Sequence, residues 1–172
     1  IWGNENAEFE ANDFALMSYG YELEDITGTY KLFASEYSEG PIGRYLMGDI
    51  IVAPYEDPEE PDYNVCIYGL DPVANVFFPT AVTLFGSEPV PGYFDLDCGT
   101  VDFEPSIIGI YSGKYYVALQ TYDGETLHFA VPQKGILDFS NDILEIAAYK
   151  PDYSYAGWLE VVLGYLEKVS DD

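Results

Sequence analysis

Histidine, arginine and cysteine are almost missing from this chain: His128, Arg44, Cys66 and Cys98 are all it has in 172 residues. One histidine excludes zinc sites built on several, and two distant cysteines do not replace them. Two cysteines are also too few for a disulfide scaffold; the count leaves open whether they pair and which redox compartment they meet. Basic side chains are scarce as well, six against 31 acidic ones, for a formal net charge of −25. A phosphate backbone or an anionic membrane face is held by Lys/Arg clusters, so nucleic-acid binding is not expected. No apolar stretch reaches the 18 or so residues of a membrane span. The longest, VANVFFPTAVTLFG, is broken by Asn75, Pro79 and two threonines, so no direct membrane insertion of this stretch is expected. No glycine-rich phosphate loop, dinucleotide fingerprint or Walker motif is present, and no cofactor is expected. The chain begins at Ile1 with no charged and apolar leader behind it, and reads as a trimmed fragment.

Aromatics are plentiful, with 17 Tyr and 10 Phe in a chain that is 48% apolar. Such residues fit a pleated, half-buried surface. From residue 26 short apolar segments recur between turn signals. In ITGTYKLFASEY, Ile26, Gly28, Tyr30, Leu32 and Ala34 share one face, and Thr27, Thr29, Lys31 and Ser35 the other. RYLMGDIIVAP, NVCIYGL, VFFPTAVTLF, YFDLD, TVDFEPSII, KYYVALQTY, TLHFAVP, ILDF and DILEIAAYK follow as further strands. Cys98-Gly99 and Tyr122-Asp123-Gly124-Glu125 read as hairpin tips, the latter because Asp-Gly supplies the positive φ of a tight turn. Pro79 within VFFPTAVTLF points to an edge or a bulge. WLEVVLGYLEKV also fits helical spacing, but Gly164 and the paired valines favour a strand. The expected fold is all-β, an antiparallel meander closing into a barrel of about eight or more strands over residues 26–172, with a β-sandwich as the alternative. Residues 1–25 lack alternation and read as an N-terminal linker or extension with a short helical turn.

With Asp123-Gly124 as the turn, Leu127, Phe129 and Val131 face one side and Thr126, His128 and Ala130 the other. His128 is thus expected mid-strand, as a sheet residue with a hydrogen-bond partner rather than a general base. No G-x-S-x-G elbow supports a triad, and no catalytic residue is assigned. Asp95, Asp97, Asp102 and Glu104 flank the Cys98-Gly99 turn. They fail the calcium-loop pattern because Gly99 and Thr100 stand where a ligand and a glycine are needed, so no metal site is expected. Glu56, Asp57, Glu59, Glu60 and Asp62 read as a solvated loop. The segment AAYKPDYSYAGW is the one candidate site. Tyr149, Tyr153, Tyr155 and Trp158 lie in or beside a loop, where flat amphipathic rings can stack on a sugar or anchor a protein; the alternative is that they plug a barrel end.

ITGTYKLFA, GTVDFEPSIIG, YDGETLHFAVP and GWLEVVLGYLEKVS together resemble the calycin-like, lipocalin-like β-barrel domains of Bacteroidetes cell-surface lipoproteins. Gly28-Thr29-Tyr30 is similar to the G-x-W of a lipocalin first strand, with Tyr for Trp. The resemblance implies export to the cell surface and a non-enzymatic binding or structural role; it brings no catalytic residues. Two other expectations stay beside it: a carrier holding a small apolar ligand in its lumen, and a hydrolase using carboxylates.

Overall fold

The alternation in ITGTYKLFA is realised in strand β1 (Gly28–Glu36), where Tyr30, Leu32 and Ala34 are buried and Lys31 is not. The structure is a computed structural model that describes residues 20–36, 45–46, 49–86, 88–124 and 126–171. Strands β2 (Tyr45–Leu46), β3 (Ile50–Pro54) and β4 (Val65–Tyr68) precede one short helix, α1 (Pro72–Phe77). After it come β5 (Val82–Leu84), β6 (Val90–Asp95), β7 (Thr100–Phe103), β8 (Ser106–Tyr111) and β9 (Tyr115–Thr121). The chain ends with β10 (Leu127–Gln133), β11 (Ile136–Asp138), β12 (Leu144–Tyr149) and β13 (Tyr155–Ser170).

Eight strands, in the order β1-β3-β4-β6-β7-β10-β11-β13, form a barrel that closes where β13 pairs back onto β1, every pairing antiparallel. The architecture is therefore a closed barrel and not a sandwich. Four further strands continue from β13 in the order β12-β9-β8-β5, and β2 adds to β1. The 16-residue β13 joins the two parts. Leu166 pairs with both Leu32 and Leu137 inside the barrel, while Tyr155 to Val162 pair with β12 in the flanking sheet.

An eight-stranded barrel is just wide enough for side chains to fill its interior. Here Tyr30, Phe94, Phe103, Phe129, Phe139, Ile50, Ile67, Leu127 and Leu137 do so, each fully buried. Phe103 and Phe139 both meet Phe129 edge to face, at ring distances of 5.9 and 5.7 Å, the arrangement that ring quadrupoles favour. The Tyr30 hydroxyl donates to the Ile26 carbonyl at 2.5 Å, and burial pushes it above its ordinary pKa. The core continues under the flanking sheet through Val117, Leu119, Leu144 and Ile146 and meets Val73 and Ala74 of α1. Gly164 lets β13 lie tightly on β1: its φ is +155°, and a Cβ there would overlap the Phe33 carbonyl oxygen.

Three expected strands are corrected. RYLMGDIIVAP holds two, Tyr45–Leu46 and Ile50–Pro54, and TVDFEPSII is divided at Glu104-Pro105 into β7 of the barrel and β8 of the flanking strands, where proline offers no N–H to a ladder. In VFFPTAVTLF only Val82–Leu84 is strand, because the preceding Asp71-Pro72 opens helix α1 and Pro79 sits in the turn after it. Proline pre-sets the φ of a first helical residue, and one just past a helix cannot continue it. Residues 1–19 and Glu125 lie outside the described residues. Of the stretch 20–25, Leu23–Asp25 form a 3-10 turn, and Tyr21 docks on the barrel. The Tyr21 ring packs against Phe94, and its hydroxyl donates to the Val131 carbonyl at 3.1 Å. The two thiols are free, Cys66 buried in β4 and Cys98 exposed at the β6–β7 turn.

Candidate functional site

His128 lies in β10 directly opposite Asp102 of β7. Its Nδ1 is paired with Asp102 Oδ1, and its Nε2 stands 3.4 Å from Asp142 Oδ2 in the β11–β12 loop. A polar cavity of about 310 Å³ adjoins it, lined also by Thr121, Asp123 and Thr126. A hydrolytic reading needs a free nucleophile or a carboxylate turned toward one. The Thr121 hydroxyl instead donates to the Thr126 carbonyl, and two carboxylates close on the imidazole. His128 thus ties two barrel strands to a loop. Across the β6–β7 turn, Asp95 Oδ1 accepts from the N–H groups of Asp97 and Cys98, and those bonds lower its pKa. It is a turn cap. Among the described residues, no group of three or more His, Cys, Asp or Glu is arranged to hold a metal ion.

The aromatic candidates assemble on the flanking sheet. Cross-strand register sets Tyr116, Tyr149 and Tyr155 in one row, Ala118, Ala147 and Trp158 in the next, and Gln120, Glu145 and Val161 in a third. Residues opposite one another in an antiparallel sheet share a face. This face is opposite the one that carries Val117, Leu119, Leu144 and Ile146 into the core. Tyr153, Tyr155 and Trp158 are exposed by 63, 52 and 54%, so they stand on the outside of the sheet and do not plug the barrel.

Tyr149 and Tyr155 meet edge to face at 5.6 Å. Tyr153 turns the other way. It adopts φ 65° in the β12–β13 loop, closed by its N–H to the Lys150 carbonyl at 2.8 Å, and its ring stacks on Tyr116 at 5.1 Å and 2°. Phe85 packs against the far side of the platform, 6.3 Å from Tyr116.

Beneath the rings runs a chain of hydrogen bonds. The Tyr149 hydroxyl donates to Gln120 Oε1, and Gln120 Nε2 donates to Glu145 Oε1, both at 2.6 Å; the Tyr155 hydroxyl donates to Glu145 Oε2 at 3.3 Å. Glu145 is 1% exposed, and burial pushes its carboxyl above the ordinary carboxylate value, partly offset by its two donors. A satisfied buried network fixes the groups that make it. Two of the rings are therefore held in place before any ligand arrives, which removes part of the ordering cost of binding.

The structure thus brings Tyr149 and Tyr155 together, sets Trp158 in the neighbouring row and gives Tyr153 a different partner. Sequence reasoning missed Tyr116, Gln120 and Glu145. Their signal was present as the Tyr116, Ala118, Gln120 alternation of KYYVALQTY and as a glutamate inside the apolar run ILEIAAY. Compared with protein-family models, curated proteins and solved structures, the chain matches none of them.

Proposed function

We propose that this chain is a non-enzymatic extracellular binding module of the calycin-like surface-lipoprotein kind, and that it holds a glycan on the outer face of its flanking sheet. The surface placement rests on the resemblance of the strand motifs, and the closed eight-stranded antiparallel barrel agrees with it. The observation that carries the binding reading is the pair Tyr149 and Tyr155 fixed by the Gln120–Glu145 network, with the exposed ring of Trp158 in the next row. The phenols of Tyr149 and Tyr155 are engaged below, so the ring faces are what a ligand meets. Flat rings on an open sheet suit the C–H face of a sugar ring, whereas protein hot spots sit in packed pockets. An apolar carrier needs an empty lumen, and the aromatic filling of this barrel weighs against that reading.

A thermal-shift series against polysaccharides, candidate protein partners and small apolar molecules checks the proposal. A ligand at a hundred times its Kd adds about 2.7 kcal/mol, which raises the midpoint by several degrees. The expected result is a rise with a polysaccharide that is lost in Tyr155→Ala/Trp158→Ala. A rise with apolar molecules alone contradicts the proposal and favours the carrier.

A further inference from the structure

Two lysines at one end of the platform extend this reading to the chemistry of the ligand, and the inference rests on the glycan proposal above. In a chain with 31 carboxylates, three of the five lysines have taken a carboxylate partner: Lys31 with Asp49, Lys134 with Asp25, and Lys168 with Asp171. Among the described residues no carboxylate lies within 4.0 Å of Lys114 or Lys150. These two line one open groove of about 630 Å³, with Gly113, Tyr115, Pro151 and Asp152. The Ser154 hydrogen bonds and then the charge of Lys150 lower the pKa of Asp152, so the groove's described lining carries two ammonium groups against one carboxylate, a local excess of positive charge on a surface of the opposite sign.

The groove is built from two ordered turns. Ser112 and Gly113 both have positive φ, 50° and 69°, and the Lys114 N–H closes the β8–β9 hairpin on the Tyr111 carbonyl at 3.0 Å. This is the hairpin geometry that matches strand twist. Across the groove, the Lys150 N–H donates to the Ser154 carbonyl at 2.9 Å. The one carboxylate in the lining, Asp152, is turned back into its own loop, with Oδ1 accepting from the Ser154 N–H at 3.0 Å and the Ser154 hydroxyl at 2.6 Å. The platform adjoins the groove through Tyr153, which belongs to the same loop as Lys150 and Asp152 and stacks on Tyr116.

We infer that this groove receives the carboxylate of a hexuronic acid unit while neighbouring sugar rings lie on Tyr116, Tyr153, Tyr155 and Trp158. The ligand class is then an acidic oligosaccharide. Elsewhere the net charge of −25 repels an anion, so the two lysines set both where such a chain binds and in which register. Lysine ammonium groups give charge-assisted hydrogen bonds to a carboxylate.

Isothermal titration of the whole chain with galacturonan oligosaccharides of one length, carboxyls free or fully methyl-esterified, separates the claims. The expected result is that the free acid binds at least about tenfold tighter than the ester. In Lys114→Met/Lys150→Met, which keeps the apolar stems, that preference disappears while ester binding is unchanged. In Tyr155→Ala/Trp158→Ala both are lost. Equal binding of acid and ester, or a preference that survives the lysine double variant, overturns the inference and leaves the glycan platform standing. Binding of neither sugar overturns the inference. An acidic peptide that binds in a lysine-dependent way when neither sugar does replaces the glycan reading with a protein ligand.

Discussion

Glu145 shows how one residue can shape a surface from below. Its carboxyl is buried, and its folded-state pKa is raised above the unfolded value. Over the window from the ordinary carboxylate value upward, the native state therefore holds a proton that the unfolded chain has released. Stability from this group is fully present below the unfolded pKa and declines as pH rises through the window. Glu145→Gln keeps both partners, since an amide oxygen accepts from Gln120 and an amide N–H donates to the Tyr155 oxygen. The variant is expected to melt no lower than the parent at about pH 8, with its relative stability growing from about pH 5 to about pH 8. Melting curves across that range check this, and a variant several degrees less stable at the upper end contradicts it. Tyr30→Phe acts in the opposite sense. It strips the buried Ile26 carbonyl of its donor, for an expected loss of about 1–3 kcal/mol in a denaturant titration. Tyr30 was legible as an inward residue because burial alternates along β1 as far as Ala34, and alternation reports that directly. Glu145 was not, since nothing in ILEIAAY says which neighbours reach its carboxyl; Gln120 is 25 residues away in sequence.

At the scale of elements, β13 does the most to define the fold. Its first half pairs with β12 and its second half with β1 and β11, and Gly164 sits where it lies against β1. Gly164→Ala drives a methyl into the Phe33 carbonyl, backbone that cannot turn aside, and is expected to destabilise by about 2–3 kcal/mol or more. Gly113→Ala is the control. Open space surrounds that position, so only its positive φ is strained, for about 1 kcal/mol. Equal losses in urea titrations of the two variants contradict the tight strand contact. The strand identity of WLEVVLGYLEKV was readable from Gly164 and the paired valines, but its continuity from the barrel to the flanking strands was not, because local pattern carries no register. VFFPTAVTLF failed for a related reason. An apolar run of that length fits a strand or a buried helical turn equally, and Asp71-Pro72, the start signal, lay just outside it.

For the whole molecule, charge and the platform are the two properties that face outward. A net charge of −25 repels itself in the compact state, and salt screens that repulsion over a Debye length of about 10 Å at 0.1 M. The thermal midpoint is expected to rise by several degrees between about 0.02 and about 0.5 M NaCl; a flat response in scanning calorimetry contradicts it. Composition carried the charge, the recurring strands and turns the barrel, and AAYKPDYSYAGW the aromatic segment, whereas the assembly of that segment with β9 into one face depends on pairing between distant strands. The most direct measurement is the emission of Trp158 itself, isolated in a Trp2→Phe protein and titrated with an oligosaccharide shown to bind by calorimetry. A ring covered by a sugar loses water, so the expected result is a saturable shift to shorter wavelength whose midpoint equals the calorimetric Kd, absent in Trp158→Phe. A ligand that binds with full heat while the Trp158 emission stays unchanged would place the binding site elsewhere and contradict the platform.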